Sequence, residues 1–191
     1  MDEKPSAGPL LAYVFWHWPL AAAVVSTYEA DLLMFHASLK SHPPAGFVRS
    51  ATSAVRGAAW LPEPGECYED WYLVRGWAAV GELNHDAVAS AHSSGHDRVA
   101  HQVAGGVGGL YALQDGDGSL GQTEVTWLTK PPGWSYGRLR LALEDCLVEG
   151  ATLWQRQMVL GPAPEFCLRG STTFTLPAAL CGQQMVPRVL G

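Results

Sequence analysis

Basic side chains are scarce in this chain. Lys and Arg together number 12 among 191 residues, against 18 Asp and Glu, so the net charge is -6. The few basic residues also form no run along the sequence. Binding to a phosphate backbone depends on clustered positive charge. We therefore expect no nucleic-acid partner.

Cysteine is also rare, with four residues spread along the chain and no Cys-x-x-Cys pair. Small secreted scaffolds carry disulfides at a higher density, and metal or redox sites use closely spaced pairs. The start, Met1-Asp2-Glu3-Lys4, lacks the basic character of a signal peptide. These features predict reduced thiols and a cytoplasmic protein.

No apolar run is long enough to span a membrane. The longest, residues 10–25, is shorter than the roughly 20 residues that a membrane helix needs. It also contains His17 and Pro19. The run therefore predicts a buried strand that leads into a helix, and we expect no membrane partner.

Signatures of common cofactor and hydrolase chemistry are missing. The glycine cluster at residues 105–109 lacks the Lys-Ser or Lys-Thr ending of a phosphate loop and the spacing of a dinucleotide fingerprint. The chain also contains no Gly-x-Ser-x-Gly elbow. We interpret residues 105–109 as turns and predict no cofactor.

The chain does contain a faint internal repeat. The apolar strand at residues 13–16 recurs at residues 124–127, and the helix that begins near Tyr28 recurs near Tyr136. With these two tyrosines paired, further apolar positions of the two amphipathic helices also align. Two predicted strands follow each helix. We infer a duplication.

Local signals place several element boundaries in the first half. Ser26 and Thr27 are predicted to cap the first helix, which runs to about residue 41. A turn at residues 61–65 separates two strands. A short helix is predicted at residues 96–103, and a strand at residues 110–113 completes the half.

The predicted element order is β-α-β-β-α-β for residues 1–118, the pattern of a ferredoxin-like unit. Residues 119–191 repeat it without the second helix. We therefore predict an α+β fold in which two ferredoxin-like units form a pseudo-symmetric barrel or sandwich, the second unit being incomplete. The tail after Gly170 is short, and packing of this tail on a neighbouring subunit is an alternative.

This element order resembles that of the dimeric α+β barrel superfamily over nearly the whole chain. That superfamily includes cofactor-independent monooxygenases of antibiotic biosynthesis, stress-responsive barrel proteins and haem-binding enzymes. The resemblance implies an interior between the sheets that holds a hydrophobic small molecule. We also expect a homo-oligomer, such as a dimer.

Two strand ends carry candidate catalytic residues. His17 shares a strand face with Tyr13 and Phe15, and its imidazole titrates near neutral pH, as an acid or base requires. Lys130 takes the corresponding place in the second half, where it can hold an anionic group. The alternatives are a histidine hydrogen-bonded at a strand end and a solvated lysine before a Pro-Pro turn.

The strand near residues 154–158 supplies further candidates. Alternation places Trp154 and Arg156 on one face and Gln157 on the other. Arg156, as a third catalytic candidate, and Gln157 are predicted to orient a carbonyl or carboxylate. Glu165 is predicted to bind ligand or to pair with Arg156 across the hairpin. An edge strand facing water explains the same pattern equally well.

Aromatic side chains complete the predicted ligand site. Trp16, Trp127 and Trp154 are predicted to line the interior, with Tyr136 at its mouth. Packing in the core or at a subunit interface is the more common use of such wide rings.

A histidine-rich stretch follows at residues 85–101. His92 and His96 share a helical face, whereas His101 lies about half a turn away. No His-Glu-x-x-His pattern is present. We interpret the stretch as a solvated helix-loop-helix surface and assign no metal ligand.

Three functions are compatible with these features. The first is a cofactor-independent monooxygenase or isomerase acting on a hydrophobic small molecule. The second is a non-catalytic small-molecule or haem-binding protein, with His17, His36 or a loop histidine as axial ligand. The third is an oligomeric structural protein. A cavity lined by His17 and Arg156 favours the first two, and a filled interior favours the third.

Overall fold

The computed structural model describes residues 8–61, 66–158 and 161–190. Residues 62–65 of the predicted turn lie outside these ranges, and so do residues 1–7, which include the start that was compared with a signal peptide. The helices within the ranges are α1 (Val25–Ser41), α2 (Trp77–Val88), α3 (Ser93–Ala100) and α4 (Tyr136–Ala142). The strands are β1 (Leu10–Pro19), β2 (Phe47–Val55), β3 (Cys67–Arg75), β4 (Val103–Asp115), β5 (Glu124–Leu128), β6 (Thr152–Met158), β7 (Phe166–Gly170), β8 (Gly182–Met185) and β9 (Arg188–Val189). None of these four helices is long and apolar enough to cross a membrane.

All nine described strands belong to one antiparallel sheet, in the order β8-β5-β7-β6-β4-β1-β3-β2-β9. The two outermost strands, β8 and β9, are nevertheless separated in the chain only by Val186 and Pro187. Three residue steps span at most about 11 Å. The sheet must therefore curl until its edges approach each other, which confirms the predicted α+β barrel-like fold.

The strand order is the same in the two halves. It reads β4-β1-β3-β2 in the first half and β8-β5-β7-β6 in the second, so in each the first strand lies between the fourth and the third. Residues 171–181 occupy the place in the chain of a second helix. The tail pairs with its own chain, β8 with β5 and β9 with β2. Within this chain the tail therefore completes both edges of the sheet, and its packing on a neighbouring subunit stays a prediction.

The barrel interior is filled by aromatic side chains from both halves. Strand alternation directs Val14 and Trp16 of β1 inward. Four indoles are each at most 2% exposed and pack together there: Trp16, Trp71, Trp127 and Trp154. The space that was expected to hold a ligand is thus occupied by the core itself.

One ion pair crosses this interior. The Arg169 guanidinium lies 3.3 Å from the Glu69 carboxylate, and both side chains are almost fully buried. The indole N–H groups of Trp16 and Trp71 donate to the same carboxylate at 2.8 and 2.6 Å. Such bonds offset the cost of removing the charges from water. The pair joins β3 of the first half to β7 of the second.

The glycine-rich segment is the middle of a strand, so its interpretation as turns is wrong. Residues 105–109 lie within β4, where aromatic rings of β1 cover them. A Cβ atom on Gly108 would approach the Tyr13 ring to 3.0 Å, and one on Gly106 would overlap the Phe15 ring. Glycine is required here by the neighbouring rings, not by a turn.

The boundaries of two helices also differ from the prediction. Helix α1 begins at Val25, so Ser26 and Thr27 lie inside its first turn, and Val24 at its N-cap forms no side-chain cap bond. Helix α3 covers Ser93–Ala100 and ends before the predicted residues 101–103, because Val103 already pairs with β1.

Candidate functional site

A cavity of about 710 Å³ lies outside the barrel, between the sheet of the first half and helices α1, α2 and α3. Buried residues of β1 and β3 form its floor: His17, Asp70 and Tyr72. Exposed residues mark its opening: Gly81, Asn84, Ala100 and Met158. Most of the remaining lining is apolar, as in small-molecule sites. We call it the Asp70 cavity.

The Asp70 carboxylate is the most strongly held polar group in this cavity. Its Oδ2 atom lies 3.1 Å from His17 Nε2 and accepts a 2.8 Å hydrogen bond from the Tyr72 hydroxyl. Its Oδ1 atom lies 3.5 Å from His36 Nε2, which is too long for a good hydrogen bond. Neither atom has a closer hydrogen-bond partner among the described residues. Oδ1 and His36 Nε2 therefore face each other, and Oδ1 is held less tightly than Oδ2.

Both flanking histidines are fixed from behind. The Nδ1 atom of His17 lies 2.5 Å from the Tyr28 hydroxyl, and that of His36 lies 2.7 Å from Ser50 Oγ. Tyr28 and His36 both come from α1, where residues eight apart share one face. The β1–β3 register brings His17 beside Asp70. Both ring nitrogens of His17 are thus engaged by the protein.

The charges in this network reinforce one another. Burial by itself raises the pKa of Asp70, but the His17 and His36 imidazoles outweigh it and hold that pKa below its ordinary value. Burial first, and then the negative charge of Asp70, raise the pKa values of Tyr13 and Tyr72. The site therefore presents an ionised carboxylate beside protonated phenols.

A row of nearly parallel rings stands on the cavity side of β1. Tyr13 and Phe15 have ring centroids 6.1 Å apart at 21°, and Phe15 and His17 follow at 5.3 Å and 23°. Strand alternation places these three side chains on one face, as predicted. A flat apolar ligand suits such a wall.

Three of the predicted site residues meet elsewhere, on the outer side of the second half. The Tyr136 hydroxyl donates to Glu165 at 2.9 Å, and the Lys130 ammonium donates to the Trp134 carbonyl at 2.7 Å. The Lys130 ammonium also lies 5.5 Å from the centre of the Tyr136 ring. The structure therefore brings Lys130, Tyr136 and Glu165 together, but away from His17.

The other candidates are dispersed. Trp16, Trp127 and Trp154 lie in the filled interior, on the opposite face of the sheet from the Asp70 cavity. Their predicted contact with a ligand in an open interior is therefore replaced by packing against one another. Their large rings are needed to fill the space that the curled sheet encloses.

Arg156 and Gln157 do not line the Asp70 cavity. Arg156 and Glu165 pair across the hairpin through their backbones, because the Arg156 amide donates to the Glu165 carbonyl at 2.8 Å. Their side chains bond elsewhere: the Arg156 guanidinium donates to the Ala163 carbonyl, and the Glu165 carboxylate accepts from Tyr136. Gln157 is exposed and donates to the Gln155 carbonyl at 3.1 Å. A cavity lined jointly by His17 and Arg156 would favour a small-molecule function, and among the described residues only His17 lines the cavity. The filled interior is the feature that favours an oligomeric structural protein.

Sequence reasoning missed Asp70, Tyr72 and Tyr28 as site residues, and it named His36 only as a possible haem ligand. One signal was available in β3, where Glu69 and Asp70 form an acidic pair inside an otherwise apolar strand. Alternation sends these two carboxylates to opposite faces. Buried acidic residues require partners, and on the cavity face the partners are histidines.

The histidine-rich stretch divides between three environments. His92 is buried and bonded to Ser38 Oγ at 2.9 Å and to the His42 carbonyl at 3.0 Å, so its assignment to a solvated surface is wrong. His96 lines the cavity, whereas His85 and His101 are exposed. Across residues 8–61, 66–158 and 161–190, no group of three or more His, Cys, Asp and Glu side chains is arranged to hold a metal ion.

Comparison with known proteins gives a similarity of fold. No protein-family model and no curated protein sequence matches this chain. The chain is similar to the crystal structure of a Fusobacterium nucleatum subsp. nucleatum protein that bears the name "putative monooxygenase". The TM-score is 0.64 at 10% sequence identity, over 96% of this chain and 94% of that chain. At this identity the two proteins share an α+β barrel-like fold.

Proposed function

We propose that this chain is a cofactor-independent monooxygenase acting on a hydrophobic small molecule in the Asp70 cavity. The observation that carries the proposal is the buried Asp70 carboxylate, which the His17 and His36 imidazoles keep ionised at the floor of a mostly apolar cavity. The name of the Fusobacterium protein and the resemblance to the barrel superfamily support the same reaction class.

Because the pKa of Asp70 is lowered, its carboxylate is a weak base, so the chemistry requires a substrate with a strongly acidic C–H bond next to an aromatic ketone or phenol. The Asp70 carboxylate accepts the proton, and the resulting carbanion donates its electrons to O2 and forms a carbon–oxygen bond. The peroxide regains the proton and then loses water. A methylene group thereby becomes a carbonyl group, and O2 supplies one oxygen atom to the product and one to water. The substrate itself provides the electrons.

The surrounding residues assist the proton transfer. His17 and Tyr72 hold Asp70 Oδ2 in place at the floor of the cavity. Closure of an apolar site around a carboxylate removes water that competes for it. In the absence of a reaction with O2, return of the proton to another carbon makes the same site an isomerase. Oxygen uptake distinguishes the two reactions.

The experiment uses dithranol, a flat anthrone with an acidic methylene group, as probe. Oxygen consumption and the absorbance of the quinone product are measured above the rate of spontaneous oxidation. We expect Asp70→Asn to lower the rate by about 100-fold or more, the range of general-base contributions. Asp145→Asn, an exposed change of the same chemistry, serves as control. A rate in Asp70→Asn within threefold of wild type, or no oxygen uptake by the wild type, overturns the proposal.

One observation favours a non-catalytic binding protein as second candidate. Both nitrogens of His17 are already engaged, which is typical of a fixed recognition site. Tight binding of the anthrone without turnover is the expected result in that case. A haem-binding version requires His17 to leave its present partners or His36 Nε2 to turn away from Asp70 Oδ1, and the absorption spectrum of the purified protein tests it by the Soret band.

We also propose that residues 1–118 and 119–191 are two ferredoxin-like units that arose by duplication. The common strand order of the two halves supports this. The Glu69–Arg169 pair and the shared indole core indicate that the halves fold together, so we expect the two fragments to associate when they are co-expressed. Self-association of the whole chain stays a prediction that sedimentation tests.

A further inference from the structure

The end of the chain reaches from the second half to the helix that covers the candidate site. Strand β8 pairs with β5 of the second half, and β9 then pairs with β2 of the first. The next residue, Leu190, is buried, and its amide donates to the Thr52 carbonyl at 3.1 Å. The Leu190 side chain belongs to a buried cluster that also contains Tyr28 and Leu32 of α1. Residues 188–190 therefore pack against the part of α1 that carries Tyr28.

The first turn of α1 needs support from outside the helix. Its N-cap residue, Val24, forms no side-chain cap bond, and both Val24 and Val25 are exposed. The first amide groups of a helix have no partners within it, so an uncapped first turn is poorly held. Arg188 of β9 supplies one contact, 2.5 Å from the carboxylate of Glu29. This ion pair is partly exposed and contributes little, so the buried Leu190 is the stronger contact.

Tyr28 in turn fixes the imidazole of His17. The Tyr28 side chain is fully buried, and its hydroxyl lies 2.5 Å from His17 Nδ1. Burial first, and then the negative charge of Asp70, raise the pKa of Tyr28, so the phenol keeps its proton and donates. In a neutral imidazole, a nitrogen that accepts a bond leaves the proton on the other nitrogen. The His17 proton then lies on Nε2, which faces Asp70 Oδ2 at 3.1 Å.

We propose that residues 188–190 hold Tyr28 in the place where its hydroxyl keeps His17 in the tautomer that donates to Asp70. Tyr28, Arg188 and Leu190 do not line the cavity, so they are positioning residues. The inference rests on the proposed function for the identity of the site. It adds that the second half of the chain completes the site of the first half.

The NMR shift of the His17 Nδ1 nucleus tests this inference without a substrate, because it differs between a free, a hydrogen-bonded and a protonated nitrogen. We expect the hydrogen-bonded value in wild type and a free or protonated value in Tyr28→Phe. Tyr111→Phe is the matched control, since it removes an equally buried tyrosine hydroxyl that donates instead to the Pro164 carbonyl. It should keep the wild-type shift. His17→Phe identifies the signal among those of the seven histidines.

The contribution of the C-terminal residues is tested at two neighbouring positions. Leu190→Ala opens the buried cluster around Tyr28, so the His17 Nδ1 shift should move towards the value of Tyr28→Phe. Val189→Ala removes a side chain that is 47% exposed and should leave the shift as in wild type. If Leu190→Ala does not fold, Leu190→Val makes a smaller change at the same contact and should move the shift in the same direction.

Dithranol oxidation provides a second readout. Because Tyr28 and Leu190 do not line the cavity, Tyr28→Phe and Leu190→Ala should keep the wild-type KM within about twofold. In Tyr28→Phe we expect kcat to fall roughly fivefold or more, as for the loss of one hydrogen bond. Leu190→Ala should lower kcat in the same direction. A raised KM at an unchanged kcat contradicts a positioning role and overturns the inference.

The outcomes separate this inference from the proposed function. The expected Nδ1 shifts support the inference even where dithranol causes no oxygen uptake by the wild type, and that second result overturns only the monooxygenase. A free Nδ1 in wild type, or a wild-type shift in Tyr28→Phe or in the Leu190 variant, overturns the inference, whatever the oxygen assay shows.

Discussion

Glu69 and Asp70 are neighbours in β3, yet their carboxylates lie on opposite faces of the sheet. Glu69 lies 3.3 Å from the Arg169 guanidinium in the barrel interior, and Asp70 lies 3.1 Å from His17 Nε2 at the floor of the cavity. Alternation along the strand produces this division. The first carboxylate supports the fold, and the second belongs to the candidate site.

Glu69→Gln is expected to destabilise the protein without altering the cavity. Loss of the Glu69 charge leaves the Arg169 guanidinium buried without a counter-ion, which costs about 3–5 kcal/mol when a buried pair is broken. Urea unfolding measures the change. The folded fraction should oxidise dithranol as wild type does.

The matched variant for this test is Glu69→Leu combined with Arg169→Met. Replacement of both members by apolar residues removes the uncompensated charge, so we expect the double variant to be more stable than Glu69→Gln. A double variant less stable than the single one would contradict this account of the interior.

The stability of the protein should depend on the Asp70 carboxylate in acid. Its pKa lies below the ordinary value of 3.8 in the folded state, so the ionised group stabilises the native state above about pH 4. That contribution is lost progressively as the pH falls below this value. Between pH 4 and pH 2 we expect the free energy of unfolding to fall more steeply in wild type than in Asp70→Asn.

Other acidic groups also contribute to this titration. Glu29 and Asp117 have lowered pKa values as well, Glu29 through its bond to Arg188 and Asp117 through the Ser119 backbone. Both are present in wild type and variant, so their effects cancel in the comparison. Parallel curves for wild type and Asp70→Asn would show that the network does not stabilise the carboxylate.

The sequence predicts which side chains of β1 share a face but not which face holds a cavity. Tyr13, Phe15 and His17 alternate with Val14 and Trp16, so both faces carry wide aromatic rings. Curling of the sheet places one set in an enclosed core and the other beneath helices. That choice depends on the pairing of distant strands, which periodicity does not contain.

Asp70 was not predicted as a site residue, and the glycines of residues 105–109 were interpreted as turns, for the same physical reason. Asp70 acquires its role from the β1–β3 register, which pairs it with Phe15 and brings it beside His17 across a separation of 53 residues. The glycines of β4 have the local preference of a turn, but the rings of β1 occupy the space above them. In both cases tertiary contacts override local propensity.

Gly46→Ala should be more destabilising than Gly57→Ala. Both residues have positive φ angles, 75° and 71°, where a side chain costs about 1–2 kcal/mol. A Cβ atom on Gly57 meets open space, whereas one on Gly46 lies 2.5 Å from the Cβ of Ala79 in the first turn of α2. The difference between the two unfolding midpoints isolates this clash.

Because α2 covers the Asp70 cavity, the same pair of variants has a functional consequence. Gly46→Ala displaces the start of that helix and should slow dithranol oxidation, while Gly57→Ala leaves the rate unchanged. Equal rates in the two variants would indicate that the position of α2 does not shape the site.

Gln183 is predicted to stabilise the closure of the barrel. Its side chain donates to the Gly57 carbonyl and accepts from the Ala59 amide at 2.9 Å, which joins β8 to the segment after β2. Gln183→Leu removes both bonds and should lower the free energy of unfolding by about 1 kcal/mol. Gln157→Leu, whose bond stays within its own strand, is the control and should cost less than about 0.5 kcal/mol. Equal effects would exclude a role in closure.

His17→Phe and Lys130→Ala locate the active half of the chain. The Phe ring preserves the row formed with Phe15 but loses the contacts of His17 with Asp70 and Tyr28, so dithranol oxidation should fall at least tenfold. Lys130 is partly exposed and lies on the other half of the barrel, where its ammonium contacts Trp134. Its removal should cost less than about 1 kcal/mol of stability and leave the oxidation rate unchanged. If Lys130→Ala instead slows oxidation more than His17→Phe does, the site lies in the second half. The Lys130 ammonium can orient only a substrate that is bound near it.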